Sequence, residues 1–385
     1  MAPQAGHKSH HICTILHFVR TSADLSFRSM NRGKRRSSVA TAPGMGPARR
    51  DERDSRRRTL RQARPLYLAV FLLLVAAAPA PASESLRVGF QKTGTFAWVL
   101  DVIRRHGLAE RAGLDLRVSE FASTEAGKLA LNGGSVDVAI SDWLWVARER
   151  ALGGKLLFYP YSSTVGAVMV KADSPIKEIA DLKGRVLAVA GGPLDKSWLI
   201  VRAAALRRGI DLRREATLQY GAPPLTFQKM VQGQADANLN FWNFCARLEA
   251  SGFRSLLDVS AAERELGATE PIAMIGYVFP QAFASTHRST IDRFLETAKA
   301  ANDILASSDA EWDALRPLIK AEDEPTFLAL RDRTRAGMLK RPLDAEIADA
   351  AKLFKTLAGL GGTELVGPAK ELDPTLYFRP SVGGE

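Results

Sequence analysis

At 385 residues, 46% of them hydrophobic and 25% charged, the chain can supply cores for two domains of ordinary size and is not a low-complexity polymer. Its formal charge of +11 is unevenly placed: fifteen of the 53 Lys/Arg but four of the 42 Asp/Glu precede Ser83, which leaves 38 of each behind it. The part from Ser83 onward is therefore neutral, a counterion-release argument has nothing to act on, and nucleic acid is not an expected partner.

The basic leader ends in the apolar run PLYLAVFLLLVAAAPAPA from Pro65 to Ala82. A basic flank, a leucine-rich stretch short for a bilayer span and the small-x-small ending Ala80-Pro81-Ala82 read as a secretory signal cleaved near Ser83. SRRRTLR at 55–61 leaves a twin-arginine route open beside the general one. Met30 and Met45 read as more conventional starts than Met1. No Cys stands directly after the apolar run, so a lipid anchor there is not expected.

From Ser83 short β-rich runs alternate with helical stretches, the pattern of a layered α/β fold. LRVGF (86–90) reads as a strand, with a helix from about Phe96 to Ala112 behind it, and LDLRVSEF (114–121) reads as a second strand. ASTEAGKLALNGG is a helix capped by Ser123 or Thr124 and stopped by Gly133-Gly134. The uninterrupted apolar VDVAIS that follows suits a parallel sheet covered on both faces. After TVGAVMVK (164–171) the order repeats: GRVLAVAGG a strand, PLDKSWLIVRAAALRRG a helix, ATLQY a strand, PLTFQKMVQGQ a helix, ADANLNF a strand. GSVDVAISDW (134–143) is echoed as GQADANLNFW (233–242), with Gly134, Asp137, Ile140 and Trp143 recurring 99 residues later as Gly233, Asp236, Leu239 and Trp242. IAMIGYVFP (272–280) then reads as a strand, before helices near 288–307, 309–320, 323–339 and 343–358.

The expected fold class is thus α/β: two doubly wound lobes joined by two crossing strands, with the C-terminal helices packed on the first lobe. Residues 1–82 form the leader, 83–168 the first part of lobe 1, 169–273 lobe 2, 274–360 the return to lobe 1 and 361–385 a surface tail.

In doubly wound lobes ligands meet the carboxyl ends of the strands. That rule selects Gln91, Lys92 and Thr93 after the first strand, Ser123 and Thr124 after the second, and Ser141, Asp142 and Trp143 after the third. In lobe 2 it selects Gly192, Asp195, Lys196, Asn240, Trp242 and Asn243. Two facing lobes then make a small-molecule cleft with aromatic walls and a few polar anchors. Trp143 and Trp242 read equally as buried aromatics or as ligand walls. Asp137 and Asp236 read as caps of helix-to-strand turns. GGPLDKS lacks the spacing of a phosphate-binding P-loop.

Catalytic machinery is sparse. Cys245 is the one cysteine after the leader, and His106 and His287 are the only histidines there, without metal-ligand spacing. No catalytic residue, metal or cofactor is expected, and the chain reads as a non-enzyme.

SPIKEIADLKGRVLAVAGG resembles the segment that opens the second lobe in periplasmic substrate-binding proteins of ABC importers, in the group associated with nitrate, aliphatic sulfonates, taurine and thiamine-type pyrimidines. FQKMVQGQADANLNFW is similar to that group's helix-turn-strand ending at a cleft tryptophan, and FASTHRSTIDRFLETAKAANDIL to its C-terminal helix. The resemblance runs from about Leu86 to Ala306. It implies a monomeric Venus-flytrap receptor that delivers a small polar solute to an inner-membrane ABC permease, with crossings near Val165 to Lys171 and Ile272 to Val278. Many relatives follow the cleft tryptophan with a short residue and Pro, where this chain has Asn243, and sulfonate binders have a Gly-Ser-type helix start where it has Gly-Gly-Pro-Leu-Asp-Lys. Anionic sulfonate-like and amine- or pyrimidine-like solutes therefore both stay open. A ligand-sensing module for a membrane partner is an alternative. An enzyme like the fungal thiamine-pyrimidine synthase is another, although its cysteine-rich motif and histidine have no counterpart here.

Overall fold

A computed structural model describes residues 83–381; the leader and signal-peptide readings lie outside them. The chain builds two five-stranded sheets, in the orders β2-β1-β3-β10-β4 and β7-β6-β8-β5-β9. The first contains β1 (Glu84–Gln91), β2 (Leu114–Phe121), β3 (Val138–Asp142), β4 (Leu156–Ser162) and β10 (Ile275–Pro280); the second contains β5 (Ala167–Lys171), β6 (Val186–Ala190), β7 (Thr217–Gly221), β8 (Ala237–Asn240) and β9 (Phe253–Asp258). In each sheet the first three strands are parallel and the fourth is antiparallel to its neighbours.

The 99-residue echo is a structural repeat. Val88 pairs with Val138 in lobe 1 as Leu187 pairs with Ala237 in lobe 2. Helices α3 (Thr124–Asn132) and α4 (Trp143–Ala151) recur 99 residues on as α7 (Pro223–Val231) and α8 (Trp242–Ala250). Asp137 accepts the Arg87 N–H at 2.9 Å and Asp236 that of Val186 at 2.8 Å. Each aspartate also donates its own backbone N–H to the carbonyl of the same residue, at 2.8 and 2.9 Å. Both therefore pin the start of a central strand to the first strand of its lobe, as the turn reading expects.

The remaining helices cover the sheets. α1 (Phe96–Arg105) and α2 (Leu108–Arg111) lie on lobe 1; α5 (Lys196–Arg207), α6 (Leu212–Glu215) and α9 (Val259–Glu265) lie on lobe 2. After α10 (Gln281–Thr286), α11 (Arg288–Ser307) and α12 (Asp309–Ile319) pack on α1. The C-terminal helices also reach past lobe 1: α13 (Glu324–Ala336) packs on α8, and α14 (Leu343–Gly361) packs on α5 and α15 (Thr363–Val366). Arg247 of α8 donates to the carbonyls of Ile319 and Lys320, at 2.6 and 2.9 Å, and pairs with Glu322.

Three sequence readings need correction. β4 and β9 were not foreseen; β4 carries Pro160, and both are the edge strands that close the sheets. The segments read as crossings hold all of the sheet strand β5 and the first four residues of β10, and the chain changes sheets in the short stretch 163–166 and the longer stretch 266–274. Nor does the chain beyond Gly361 simply lie on the surface. Leu365, Val366, Leu376, Tyr377 and Phe378 are buried, Phe378 N–H reaches the Phe158 carbonyl at 2.8 Å, and the Tyr377 ring meets Phe158 edge-on at 5.5 Å. The apolar edge of β4 needs that cover, and the Gly and Pro content of the tail hides the few large side chains that provide it.

Candidate functional site

A cleft with about 750 Å³ of free space, part of it continuous with solvent, opens where the strand ends of both lobes meet. Lobe 1 lines it with Phe90 and Gln91 from β1, Thr95 and Phe96 at the start of α1, Thr124 from α3, Ile140 to Asp142 from β3, and Tyr161 and Ser162 from β4. Thr164, Val165 and Gly166 of the first crossing form its floor, and Lys196, Ser197, Phe241, Trp242 and Asn243 present the start of α5 and of α8 from lobe 2.

Chain geometry explains the convergence. A parallel strand followed at once by a helix aims the helix's first turn at the carboxyl edge of the sheet. On α4 that turn is capped by Asp142, whose Oδ1 accepts the Trp145 N–H at 2.8 Å. On α5 it is capped by Asp195, whose Oδ1 accepts the N–H groups of Ser197 and Trp198 at 2.9 and 3.4 Å. The starts of α1 and α8 have no side-chain cap; on α1 the Ala97 and Trp98 N–H groups turn back to the Gly94 and Thr95 carbonyls, and on α8 that of Phe244 to the Phe241 carbonyl. Gly191 takes φ +86°, and a Cβ there would lie 2.9 Å from Asp195 Oδ2, so a glycine is required for the loop to fold over its own cap.

Charges gather beneath the polar end. Lys128 Nζ stands 3.6 Å from Asp142 Oδ2 and 5.2 Å from the Trp145 ring centroid. Lys196 Nζ stands 3.9 Å from Asp195 Oδ2 and 4.5 Å from the Phe241 ring centroid. Burial pushes the Asp195 carboxyl above its ordinary range; Lys196 pulls it back, and the charge of Asp142 across the cleft pushes it further up. Two buried polar atoms of the lining have no protein partner among the described residues: Gln91 Nε2 and Ser197 Oγ. Gln91 is oriented by its Oε1, which accepts the Thr124 hydroxyl at 3.3 Å, so the free end of the amide is a donor.

Of the residues selected from the sequence, Gln91, Thr124, Ser141, Asp142, Lys196, Trp242 and Asn243 line this cleft. The other seven do not. Trp143 is fully buried and tilts against Phe354 at 6.5 Å, because the first helical residue after β3 points down into the core. Asn240 is fully buried and spends its amide on Pro223, Thr226, Asn238 and the Phe241 N–H, as a lock within lobe 2. Ser123 is the N-cap of α3, accepting the Ala126 N–H at 3.2 Å. Lys92 is exposed and pairs with Glu120, and Thr93 gives its carbonyl to Asn243 Nδ2 at 3.2 Å. Asp195 lies behind the wall as a cap. Gly192 sits at the rim, where a Cβ would be 4.0 Å from Glu125 Oε1 of the other lobe.

The family model described as "NMT1/THI5 like" matches residues 102–311, more than half of the chain. The chain belongs to the NMT1/THI5-like family. This NMT1/THI5-like chain is 27% identical over 288 residues, 73% of its length and 85% of the relative's, to the "Putative aliphatic sulfonates-binding protein" of Escherichia coli (strain K12). Its fold is that of solved periplasmic binding proteins. The alkanesulfonate-binding protein SsuA from Xanthomonas axonopodis pv. citri, bound to MOPS, superposes with TM-score 0.62 at 20% identity, covering 78% of this chain and 100% of that one. The periplasmic aliphatic sulphonate-binding protein SsuA from Escherichia coli gives 0.61 at 22%, covering 78% and 94%.

Sequence reasoning missed the aromatic half of this NMT1/THI5-like cleft. Phe90 and Phe96 read as strand and helix residues, Tyr161 lies on the unforeseen β4, and Phe241 was passed over between two selected neighbours; a hydrophobic residue carries no mark that distinguishes a cleft wall from a core wall. Ser197 had a usable signal, since it follows two selected residues in the first turn of a helix that starts at a strand end.

Proposed function

We propose that this NMT1/THI5-like protein is a periplasmic solute receptor and not an enzyme. Exported and cleaved near Ser83, it captures a small polar molecule between its lobes and hands it to an ABC permease in the inner membrane. The observation that carries this reading is the pair of buried, unpartnered groups in the cleft, Gln91 Nε2 and Ser197 Oγ. A buried donor without an acceptor is costly, and a bound solute would supply the missing partner. Aromatic walls and few titratable groups fit capture better than chemistry, and both walls come from one chain, so a monomer suffices. Contacts from both lobes exist only when the cleft is closed, so binding would favour that form, which the permease would then recognise.

The test is a thermal-shift screen of the purified protein against sulfonates, nitrate, amines and aminopyrimidines, followed by calorimetry on any hit. A ligand of the native state must raise the melting temperature saturably. Ser197→Ala and Gln91→Ala should each weaken that hit about tenfold, the cost of one hydrogen bond to a buried partner. A hit whose affinity neither variant alters would place binding elsewhere and end this reading.

A further inference from the structure

The cleft has two chemically different ends. At one, α1 and α8 begin without side-chain caps, so no carboxylate stands at either helix start. At the other, α4 and α5 are capped by their own buried carboxylates, which take the Trp145 amide on α4 and the Ser197 and Trp198 amides on α5, so a negative charge stands at each helix start. Asp142 is 3% exposed, lines the cleft, and is only loosely compensated. Its Oδ2 has the Ser141 hydroxyl at 3.4 Å and Lys128 Nζ at 3.6 Å, both long for a charge-assisted bond. Around Asp195, on the facing lobe, three carboxylates (Asp142, Asp195 and Glu125) are set against two ammonium groups, Lys128 and Lys196. Seating a purely anionic solute against that end would set a second negative charge beside the buried carboxylate of Asp142, whose nearest ammonium group stands 3.6 Å away.

Resting on the solute-receptor reading, we infer that the cleft selects a solute that carries a protonated amine, with Asp142 as its counter-charge. The amine lies between the α4 and α5 caps and gives Asp142 Oδ2 the short donor it lacks. The solute's acceptor end takes the donor of Gln91 and the uncapped start of α8, while the Ser197 hydroxyl, in the first turn of α5, meets the amine end. The rings of Phe241 and Trp242 line the same cleft, the first with Lys196 Nζ 4.5 Å from its centroid. An alkyl anion without the amine satisfies the acceptor end alone.

Two probe pairs that differ only in the ammonium group test this by calorimetry on the purified full chain: 3-aminopropane-1-sulfonate against propane-1-sulfonate, and 4-aminobutanamide against butanamide. The amine member is expected to bind at least tenfold more tightly in a pair that binds. Equal or tighter binding of the amine-free member, or no binding by any of the four, overturns the inference. Asp142→Asn keeps an N-cap-competent side chain, so the fold is retained and the preference should collapse to within about threefold. Glu125→Gln, at the rim and outside both caps, should narrow it by a smaller factor. A preference unchanged in both variants also overturns the assignment. Failure of the receptor reading looks different: Ser197→Ala would then leave the affinity of every binding probe unaltered, whereas loss of amine preference with Ser197-dependent binding intact removes this inference alone.

Discussion

The indole of Trp242 meets that of Trp98 edge-on, centroids 6.1 Å apart at 89°, so a residue of the lobe-2 helix α8 packs into the core of lobe 1. Trp98 in turn stands edge-on to Trp312 of α12 at 5.7 Å. The contact joins the two lobes beside the Asn243 Nδ2 bond to the Thr93 carbonyl, and Trp242 also lines the cleft. Trp242→Ala should therefore weaken two things together, ligand affinity and the closed arrangement. We expect at least a tenfold loss of affinity and a larger radius of gyration in the ligand-free protein by small-angle scattering. Unchanged scattering with unchanged affinity would reduce Trp242 to an ordinary core residue.

Its counterpart 99 residues earlier should behave differently. Trp143 is fully buried against Phe354 and outside the cleft. Trp143→Ala should cost about 3–5 kcal/mol of stability, as truncation of a large core aromatic does, and leave the affinity of the folded protein unchanged. Chemical denaturation and calorimetry on the same sample separate the two effects, and a loss of affinity without a loss of stability would refute the assignment.

Gly166 marks the point where the chain leaves lobe 1. A Cβ built there would lie 1.7 Å from the Asn240 carbonyl oxygen, so the crossing can pass β8 only because the residue has no side chain. Its carbonyl also accepts the Val259 N–H at 3.0 Å, which ties the crossing to the start of α9. Gly166→Ala should destabilise the protein by about 1–3 kcal/mol, the range for an overpacked core. It should also displace Val165 and Thr164 in the cleft floor, lowering affinity. A variant with wild-type stability would mean that the crossing yields easily, and the floor would not be rigid.

Much of this architecture was legible because it rests on local periodicity. The echo of GSVDVAISDW in GQADANLNFW marks two copies of one strand-to-helix unit, and Asp137 and Asp236 hold their strands in the same way in each. The repeat misled where the two copies differ in surroundings. Trp143 and Trp242 occupy equivalent backbone positions, yet α14 brings Phe354 over the first, whereas the second faces the other lobe and Trp98. Asn240 sits at a strand end, as a ligand contact would, but the neighbours that consume its amide, Pro223 and Thr226, come from α7. Which of several polar residues at a sheet edge faces the solute is decided by tertiary neighbours, and a strand pattern does not encode them. β4 and β9 were missed for a related reason: edge strands gain their pairing from one neighbour and tolerate Pro160 or polar residues that disguise them.

Glu263 offers a test on pH. It lies on α9, is 1% exposed, and neither carboxylate oxygen has a hydrogen-bond partner among the described residues. Burial pushes its carboxyl from 4.5 up to about 8; Arg264 and Lys196 oppose the rise and Glu346 of α14 adds to it. Between those two values the folded protein holds a proton that the unfolded chain has released, so this group's contribution to stability is full below 4.5 and is lost as pH rises toward 8. Each unit of displacement corresponds to roughly 1.4 kcal/mol, enough for the slope to be seen in the melting temperature. Glu263→Gln removes the titration while keeping the side chain's shape. Its melting temperature should exceed that of the wild type by a margin that grows from pH 5 to pH 8.5. Parallel wild-type and variant profiles over that interval would show that Glu263 finds a partner for its charge, and the pH dependence would have to come from other groups.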